Sequence, residues 1–425
     1  MGIRNLAEAD YCREIGVDLI ITDHHLPGEE LPKASFLINP KQPGDNYPFK
    51  DLCGCAVGYK VIQGLSKLFP NEIDEKFLKW NLDLVAISTI SDVVPLIGEN
   101  RILAKFGLTV ISKTKNIGLK RLIEVSKIDP SNIQAYHVGF QIGPRINAPG
   151  RIDHATKSFE LLVTEDEKEA TDLANWLNEK NDLRQEEMAR IIKEAIFAVE
   201  IENLAKNKII IVAGDWPKGV IGPSASKLVE KFNRPVILFS KEGDTLTGSA
   251  RSIAGINIVE IFEKVKDQIL KFGGHKAAAG ITIEAEKFDI FNAKIARVSD
   301  EMISNKDMIK KLNIDSEVEL KDLTKSLYEK LLQFEPFGMG NSKPLFVVHG
   351  AELKFPKFIG KEKNHFSAMA GENPRQLKLI CFNFPYDKDI ISDMKKYDIA
   401  FNLSLDTWQG QEKLSMNVQD IRISN

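Results

Sequence analysis

An apolar run that stops on an acid and two imidazoles constrains this chain more than any other stretch. Val17-Asp18-Leu19-Ile20-Ile21-Thr22 leads straight into Asp23-His24-His25. The run predicts a buried strand over residues 17–21, and strands of this kind belong to parallel sheets covered on both faces. Such sheets bind ligands beyond the carboxyl ends of their strands, where the acid and the imidazoles would stand. Hard oxygen and borderline nitrogen donors side by side suit Mn²⁺, Mg²⁺ or Zn²⁺. A polar turn with a satisfied histidine pair is the competing reading of the three residues alone.

At 425 residues the chain exceeds one ordinary core, so two or three domains are expected. A hydrophobic content of 43% with 28% charged residues describes a globular protein. There is no apolar run of about 18 residues to span a bilayer and no basic-then-apolar leader, which points to the cytoplasm and away from membranes. Cys12, Cys53, Cys55 and Cys381 are too few for a disulfide framework, and Cys53-Gly54-Cys55 lacks the second pair that zinc would want, so buried thiols are expected. A net charge of −3 excludes coating nucleic acid by bulk charge. It leaves room for a local basic groove.

Residues 7–16 have helical spacing, 37–40 form a short apolar run closed by a turn, and 57–68 return to helical spacing. Residues 82–96 are strongly apolar but contain Asp92 in Ile90-Ser91-Asp92-Val93-Val94-Pro95-Leu96. A lone carboxylate buried there would need a metal, an arginine or backbone donors for company; a helix cap is the alternative. Gly143-Pro144-Arg145-Ile146-Asn147-Ala148-Pro149-Gly150-Arg151 crowds glycines, prolines and arginines into nine residues. That composition predicts a shaped loop, on which arginines could fork around phosphate or simply be solvated.

From 155 to 204 the pattern is helical and charged. Leu173, Trp176, Leu177, Met188, Ile191, Ile192, Ala195, Ile196 and Val199 form one apolar stripe, and the charges opposite read as a solvated face. A second α/β unit opens at Lys208-Ile209-Ile210-Ile211-Val212-Ala213-Gly214 and continues through a helix after Gly219 to a strand over 234–239. Gly248-Ser249-Ala250-Arg251-Ser252 then supplies hydroxyls, amides and a guanidinium, an economical anion cradle. A helix over 256–271 is expected to run into Phe272-Gly273-Gly274-His275-Lys276-Ala277-Ala278-Ala279-Gly280. The paired glycines either let backbone approach a ligand or stop the helix against a small-residue packing site.

From about residue 314 short β-like runs (345–348, 377–384, 399–405 and 414–418) predict a small barrel. Phe334-Glu335-Pro336-Phe337-Gly338-Met339-Gly340-Asn341 precedes them as a turn with exposed aromatic candidates. Lys354, Lys357, Lys361 and Lys363 interleave with Phe355, Phe358, His365 and Phe366. Charge with stacking rings suits a single strand of nucleic acid, and a lysine face over a phenylalanine core is the alternative.

Taken in order, Thr22-Asp23-His24-His25, Ser91–Leu96, Gly143–Arg151, Gly248–Ser252, Gly273–Gly280 and Glu335–Asn341 resemble the RecJ branch of the DHH phosphoesterase family, the single-stranded-DNA-specific exonucleases. The resemblance implies an α/β fold: a parallel-sheet DHH domain over 1–154, truncated at its start, a connector helix over 155–205, an α/β DHH-associated domain over 206–305 and a β-rich OB-type domain over 312–425. It implies Asp23, His24 and Asp92 as metal ligands for Mn²⁺ or Mg²⁺, two ions in the complete family site. His25, Asp92 and Arg145 would act in catalysis. Asn147 and Arg151 would contact the strand, Ser249 and Arg251 would hold a terminal phosphate, and Gly273, Gly274 and His275 would line the cleft. The implied reaction is 5′-to-3′ removal of nucleotides from single-stranded DNA by metal-activated water, in repair and recombination. A helicase or a single-strand-binding protein would be a partner.

The chain departs from that pattern at its start. RecJ-like proteins carry an earlier Asp-x-Asp and an aspartate before a Cys-Gly-Ile, whereas here Met1-Gly2-Ile3 opens the chain. The expectation is an N-terminally incomplete family member with half a two-metal site, strand binding and little or no turnover. Its first strand would lie near an unprotected sheet edge. Pro217 also stands where such proteins often have a histidine. A non-catalytic strand-binding homologue is the alternative; hydrolysis of short oligonucleotides or cyclic dinucleotides fits less well, because small-substrate relatives generally lack the terminal barrel.

Overall fold

The chain begins with helix α1 (Leu6–Glu14), which leads through a turn to strand β1 (Ile20–Thr22), paired in parallel with β2 (Phe36–Ile38). The computed structural model describes residues 2–152, 154–371, 376–392, 395–408 and 411–424. It divides into two units, residues 1–110 with 312–425, and residues 111–311. The first strand is shorter and less covered than its sequence suggests. Only Ile21 is buried, while Ile20, Val17 and Phe36 face outward, because a two-stranded sheet covers one face of its strands.

Four helices complete this part: α2 (Gly54–Leu68), α3 (Glu75–Trp80), α4 (Leu82–Ser91) and α5 (Gly98–Ile111). Leu52, Cys53, Ala56, Val57, Tyr59, Val85 and Leu103 form their core. All four cysteines are free; Cys53 and Cys381 are buried as expected, but Cys55 is exposed. Asp92 corrects another expectation. It is an exposed residue at the C-terminal cap of α4, not a buried carboxylate. The acid buried in that apolar run is Asp83, which accepts a hydrogen bond from the Leu84 amide at 2.7 Å.

The second unit opens with α6 (Ile117–Val125) and a one-turn helix α7 (Ala135–His137), followed by a π-helical turn over Val138–Ile142. The glycine- and proline-rich motif is then helical: α8 (Gly143–Asn147) and α9 (Pro149–Ile152) replace the expected loop. Pro144 and Pro149 fall in the first turns of those helices, where a missing N–H breaks no intrahelical bond. α10 (Thr156–Val163) and α11 (Glu167–Ile201) follow. Asp166 caps α11 by accepting the Glu169 amide at 2.7 Å. At 35 residues the helix is about 50 Å long.

The sheet of this unit has the order β3-β4-β5-β7-β6, made from β3 (Ile210–Gly214), β4 (Val236–Glu242), β5 (Thr245–Arg251), β6 (Lys271–His275) and β7 (Ala278–Glu284). Only β3 and β4 are parallel, joined by α12 (Lys218–Phe232). α13 (Ile258–Lys264) and α14 (Phe288–Met302) pack with the sheet around Phe239, Phe262, Phe291 and Ile281. The anion-cradle motif thus lies along β5, with Ser252 just past its end. The paired glycines lie in the β6–β7 hairpin, not at a helix stop, and the helix expected over 256–271 ends early.

The last segment returns to the first unit with β8 (Ser316–Glu317), α15 (Lys325–Leu332), β9 (Phe346–Ile359), β10 (His365–Ala370), β11 (Leu377–Cys381), β12 (Lys396–Trp408) and β13 (Gln411–Ile423). β9 is long enough to pair with both β12 and β10, so the ring β9-β12-β13-β11-β10 closes on itself. Closure pairs each of these strands on both sides, which removes the free edges of an open sheet. Tyr397, Phe401, Phe366 and Met416 fill the interior. No described helix is long and apolar enough to cross a membrane.

Candidate metal and phosphate sites

Asp23 directly follows β1 and is buried, with its amide bonded to the Ile38 carbonyl of β2 at 3.0 Å. Its carboxylate accepts the Ile3 amide at 2.6 Å through Oδ2, and the His24 amide at 2.7 Å and His25 amide at 3.2 Å through Oδ1. The same Oδ1 lies 2.7 Å from His25 Nδ1. Burial alone would raise this carboxyl, but the hydrogen bonds from Ile3, His25 and His24 hold it well below the usual carboxylate range. An ionised acceptor at Nδ1 makes that nitrogen the protonated one and turns the lone pair of His25 to Nε2. The Asn39 amide fixes the backbone by donating to the His25 carbonyl at 2.9 Å.

His24 lies against α2, where a side chain in place of Gly54 would come within 3.4 Å of the ring. Burial lowers its pKa, and Asp92 opposes the shift. Its Nδ1 stands 3.6 Å from Asp92 Oδ2, too far for a hydrogen bond. The His24 and His25 rings lie 4.3 Å apart. Donor atoms of Asp23, His24 and His25 all fall within 4.8 Å of one another. A neutral imidazole, an ionised carboxylate and a further exposed carboxylate facing the same ring form a donor set that fits one divalent cation.

The segment carrying Asp92 is held from the barrel side of its own unit. Val93 adopts φ 57°, a left-handed conformation costly for a β-branched residue, and turns the chain out of α4. The Leu96 amide donates to the Met339 carbonyl at 2.6 Å. Arg101 donates to the carbonyls of Gln333, Phe334 and Glu335 at 2.8, 3.2 and 3.3 Å. Asn341 closes the turn by donating to the Phe334 and Pro336 carbonyls at 2.8 and 2.9 Å. The turn at 334–341 therefore buttresses Asp92, with Phe334 exposed and Pro336 buried.

The second unit brings another group together. β5 alternates, with Leu246, Gly248 and Ala250 toward the core and Thr247, Ser249 and Arg251 on the other face. Register places Ser249 beside Gly280 and Gly273, and Arg251 beside Ala278 and His275. Residues opposite one another in a ladder share a face, so Ser249, Arg251, Gly273 and His275 share one, floored by glycine and alanine. Gly274 falls on the opposite face, away from this group. Arg251 donates to Ser249 Oγ at 2.9 Å and to the Ala250 carbonyl at 2.8 Å. Gly222 of α12 lets the guanidinium lie close, since a Cβ there would stand 2.8 Å from Arg251 Nη2.

Arg151 reaches the same helix. Pro223 lacks the N–H that would bond the Gly219 carbonyl four residues back, and Arg151 Nη1 donates to that carbonyl at 3.3 Å. Arg145 donates to Asn178 Oδ1 and the Gln141 carbonyl, each at 2.9 Å. Burial lowers the pKa of Arg145 and Arg251, and the Arg151 charge adds to the shift at Arg251. Asn147 is exposed at the end of α8. Of the expected site residues, Asp23, His24, His25 and Asp92 thus meet in the first unit, and Arg145, Arg151, Ser249, Arg251, Gly273 and His275 belong to the second.

On the barrel, Phe355 is 74% exposed and Phe382 58%. Phe355 has φ 54° within a bulge, where Lys357 pairs with Ser367 and Lys354 with Met369. Phe366 is a correction: it is wholly buried, and Phe358 packs on it and Phe384 with Lys388 over the Phe358 ring. Phe382, missed in the sequence, makes edge contact with His365.

Comparison with known families first defines the class. The DHH family, N-terminal domain matches residues 1–89, the DHHA1 domain residues 206–300 and the RecJ OB domain residues 314–420. The chain is 36% identical to the single-stranded-DNA-specific exonuclease RecJ of Bacillus subtilis (strain 168), over all of this chain and 53% of the relative. It is 32% identical to that of Escherichia coli (strain K12), over 99% of this chain and 76% of the relative. The crystal structure of RecJ from Thermus thermophilus in complex with Mn²⁺ superposes with a TM-score of 0.86 at 28% identity, covering 99% of this chain and 60% of that one. This chain belongs to the RecJ family. It spans about half the length of the Bacillus subtilis relative.

Proposed function

We propose that the chain carries a divalent-metal and phosphate-binding part of a 5′-to-3′ exonuclease acting on single-stranded DNA in repair and recombination. The observation that carries this reading is the Asp23–His25 pair beside His24 and Asp92, an oriented imidazole next to a cation-binding donor set. Two solved structures of RecJ from Thermus thermophilus, one in complex with Mn²⁺ and one with Mg²⁺, support those ions as occupants. Asp23, His24 and Asp92 would hold the ion. A bound divalent ion supplies charge stabilisation at the phosphorus and acidifies water.

The chain's own residues do the remaining work. Asp23 fixes His25 with Nε2 free, so the exposed imidazole can take or return a proton at the scissile phosphate. Burial keeps His24 neutral, the form that ligates. Ser249 and Arg251 would hold a terminal phosphate, with Gly273 and His275 lining its approach. Arg145, Asn147 and Arg151 would contact the strand. Lys354, Lys357, Phe355 and Phe382 would bind the strand on the barrel, charge following the backbone and rings stacking on bases.

Asp23 and Asp92 with two histidines supply donors for one ion, not for a bridged pair. This favours the second reading, strand binding with little or no turnover, for these 425 residues. Release of nucleotides from 5′-phosphorylated single strands in Mn²⁺, with Asp92→Ala as control, separates the readings. Retained strand binding with negligible turnover is expected. Robust turnover abolished by Asp92→Ala would refute the one-ion reading, and absence of strand binding would refute the functional assignment.

A further inference from the structure

The apolar stripe of α11 is interrupted where it should continue. Leu177 and Ile191 are buried core positions of the helix, yet the spacing between them places Asn181 and Arg184 on the same face. Asn181 is 0% exposed. Arg184 Nη2 donates to Asn181 Oδ1 at 3.0 Å, which fixes the amide orientation and turns Asn181 Nδ2 away. Neither Asn181 Nδ2 nor the buried Arg184 Nε has a hydrogen-bond partner among the described residues. Unsatisfied buried donors are rare and costly, and here one belongs to a cation.

The surroundings sharpen the chemistry of what is missing. Burial lowers the Arg184 pKa, and the charges of Arg151 and Arg145 lower it further, with no carboxylate among the described residues acting against them. Asn178, one turn before Asn181, holds Arg145. α11 packs against α8 and α9, and α12 against α9 and β5. Arg184 thus lies within electrostatic reach of Arg145 and Arg151, and Arg151 of Arg251, while Asp182 acts on Arg145. Cations packed together with free donors define a site whose counterion is an anion.

We propose that Asn181 and Arg184 form an inner subsite that binds a backbone phosphodiester of the strand, distinct from the terminal-phosphate cradle at Ser249 and Arg251. This rests on the strand-binding reading above. The anion is a phosphodiester rather than a small metabolite because Arg151 stands within electrostatic reach of both subsites, as successive phosphates of one strand require.

The test is fluorescence anisotropy with the full chain in EDTA, using single strands with and without a 5′-phosphate across a salt series. Arg184→Met should weaken both strands about tenfold and reduce the slope of log affinity against log salt by about 0.7, one phosphate contact on a single strand. It should leave the ratio between the two strands unchanged, whereas Arg251→Gln should abolish that ratio. In the free protein Arg184→Met should leave the melting temperature nearly unchanged, because removing an uncompensated charge offsets the lost hydrogen bond to Asn181 Oδ1. Wild-type affinity and slope in Arg184→Met, or a lowered melting temperature with an unchanged slope, would overturn the subsite and leave the Arg251 result standing. An unchanged ratio in Arg251→Gln would instead count against the terminal-phosphate reading. Should Arg184→Met fail to fold, Arg184→Lys decides: it keeps the charge and loses the fork, so weaker binding with an unchanged slope is expected, and wild-type affinity would overturn the proposal.

Discussion

Gly222→Ala is expected to cost the protein about 0.5–2.5 kcal/mol, the lost hydrogen bond outweighing the gain in helix propensity, and to make it worse at holding a terminal phosphate. Alanine is better than glycine inside a helix by about 0.5–1 kcal/mol. The new Cβ would stand 2.8 Å from Arg251 Nη2 and 3.1 Å from Ser249 Oγ. The nearest atom it meets is the tip of a flexible side chain, so the fold gives way there cheaply. Moving that tip disrupts the 2.9 Å bond from Arg251 to Ser249, and a hydrogen bond from a charged group is worth about 1.5–3 kcal/mol. Preference for a 5′-phosphorylated strand should fall about tenfold, the equivalent of about 1.4 kcal/mol.

Gly219→Ala, three residues earlier, should lose stability through the backbone instead. Its Cβ would lie 2.0 Å from the Arg151 carbonyl oxygen, a backbone atom that cannot swing aside, so a loss of about 1–3 kcal/mol is expected. Thermal unfolding paired with strand-binding anisotropy reads both variants. A Gly222→Ala protein with unchanged phosphate preference would refute the reasoning that Arg251 binds phosphate from this position.

Three further outcomes are open to measurement. Arg101→Ala removes donors to three carbonyls of the 333–335 segment and should cost about 1–3 kcal/mol by denaturant melt, given partial exposure; it should also weaken metal binding through Asp92. Phe355→Ala should reduce single-strand affinity by about 1–3 kcal/mol in anisotropy while leaving the melting temperature unchanged, as expected for an exposed stacking ring. Asp398 has its carboxyl lowered to about 2: burial acts against the shift, but Ser424, Arg422, His349 and the Gly350 amide outweigh it. Since the folded value lies below the unfolded one, its contribution is present above about pH 4 and fades as pH falls toward 2. Asp398→Asn should therefore flatten that limb of the acid-unfolding curve.

Much of the site was legible because chemistry-bearing residues clustered in short motifs. Asp23-His24-His25 appeared where a strand ends, and Ser249 and Arg251 appeared together because alternate residues of a strand share a face. Secondary structure within the motifs was harder to read. Gly143–Arg151 looks like a loop by composition, yet its prolines occupy first helical turns. Phe366 and Phe355 look alike in sequence, and only the bulge and barrel closure send one inward and the other out. Asn181 and Arg184 left a usable signal. Polar residues at stripe positions of a long helix could have been read as a buried site instead of being passed over in a charged helix. Arg101 left none, because its partners lie more than 230 residues away.

Calorimetric titration of Mn²⁺ into the full chain tests the central claim most directly. One ion per chain is expected, with binding lost in His24→Ala and weakened in Asp92→Ala. No saturable binding by the unmodified chain, or binding indifferent to both substitutions, would contradict the assignment of Asp23, His24 and Asp92 as a metal site.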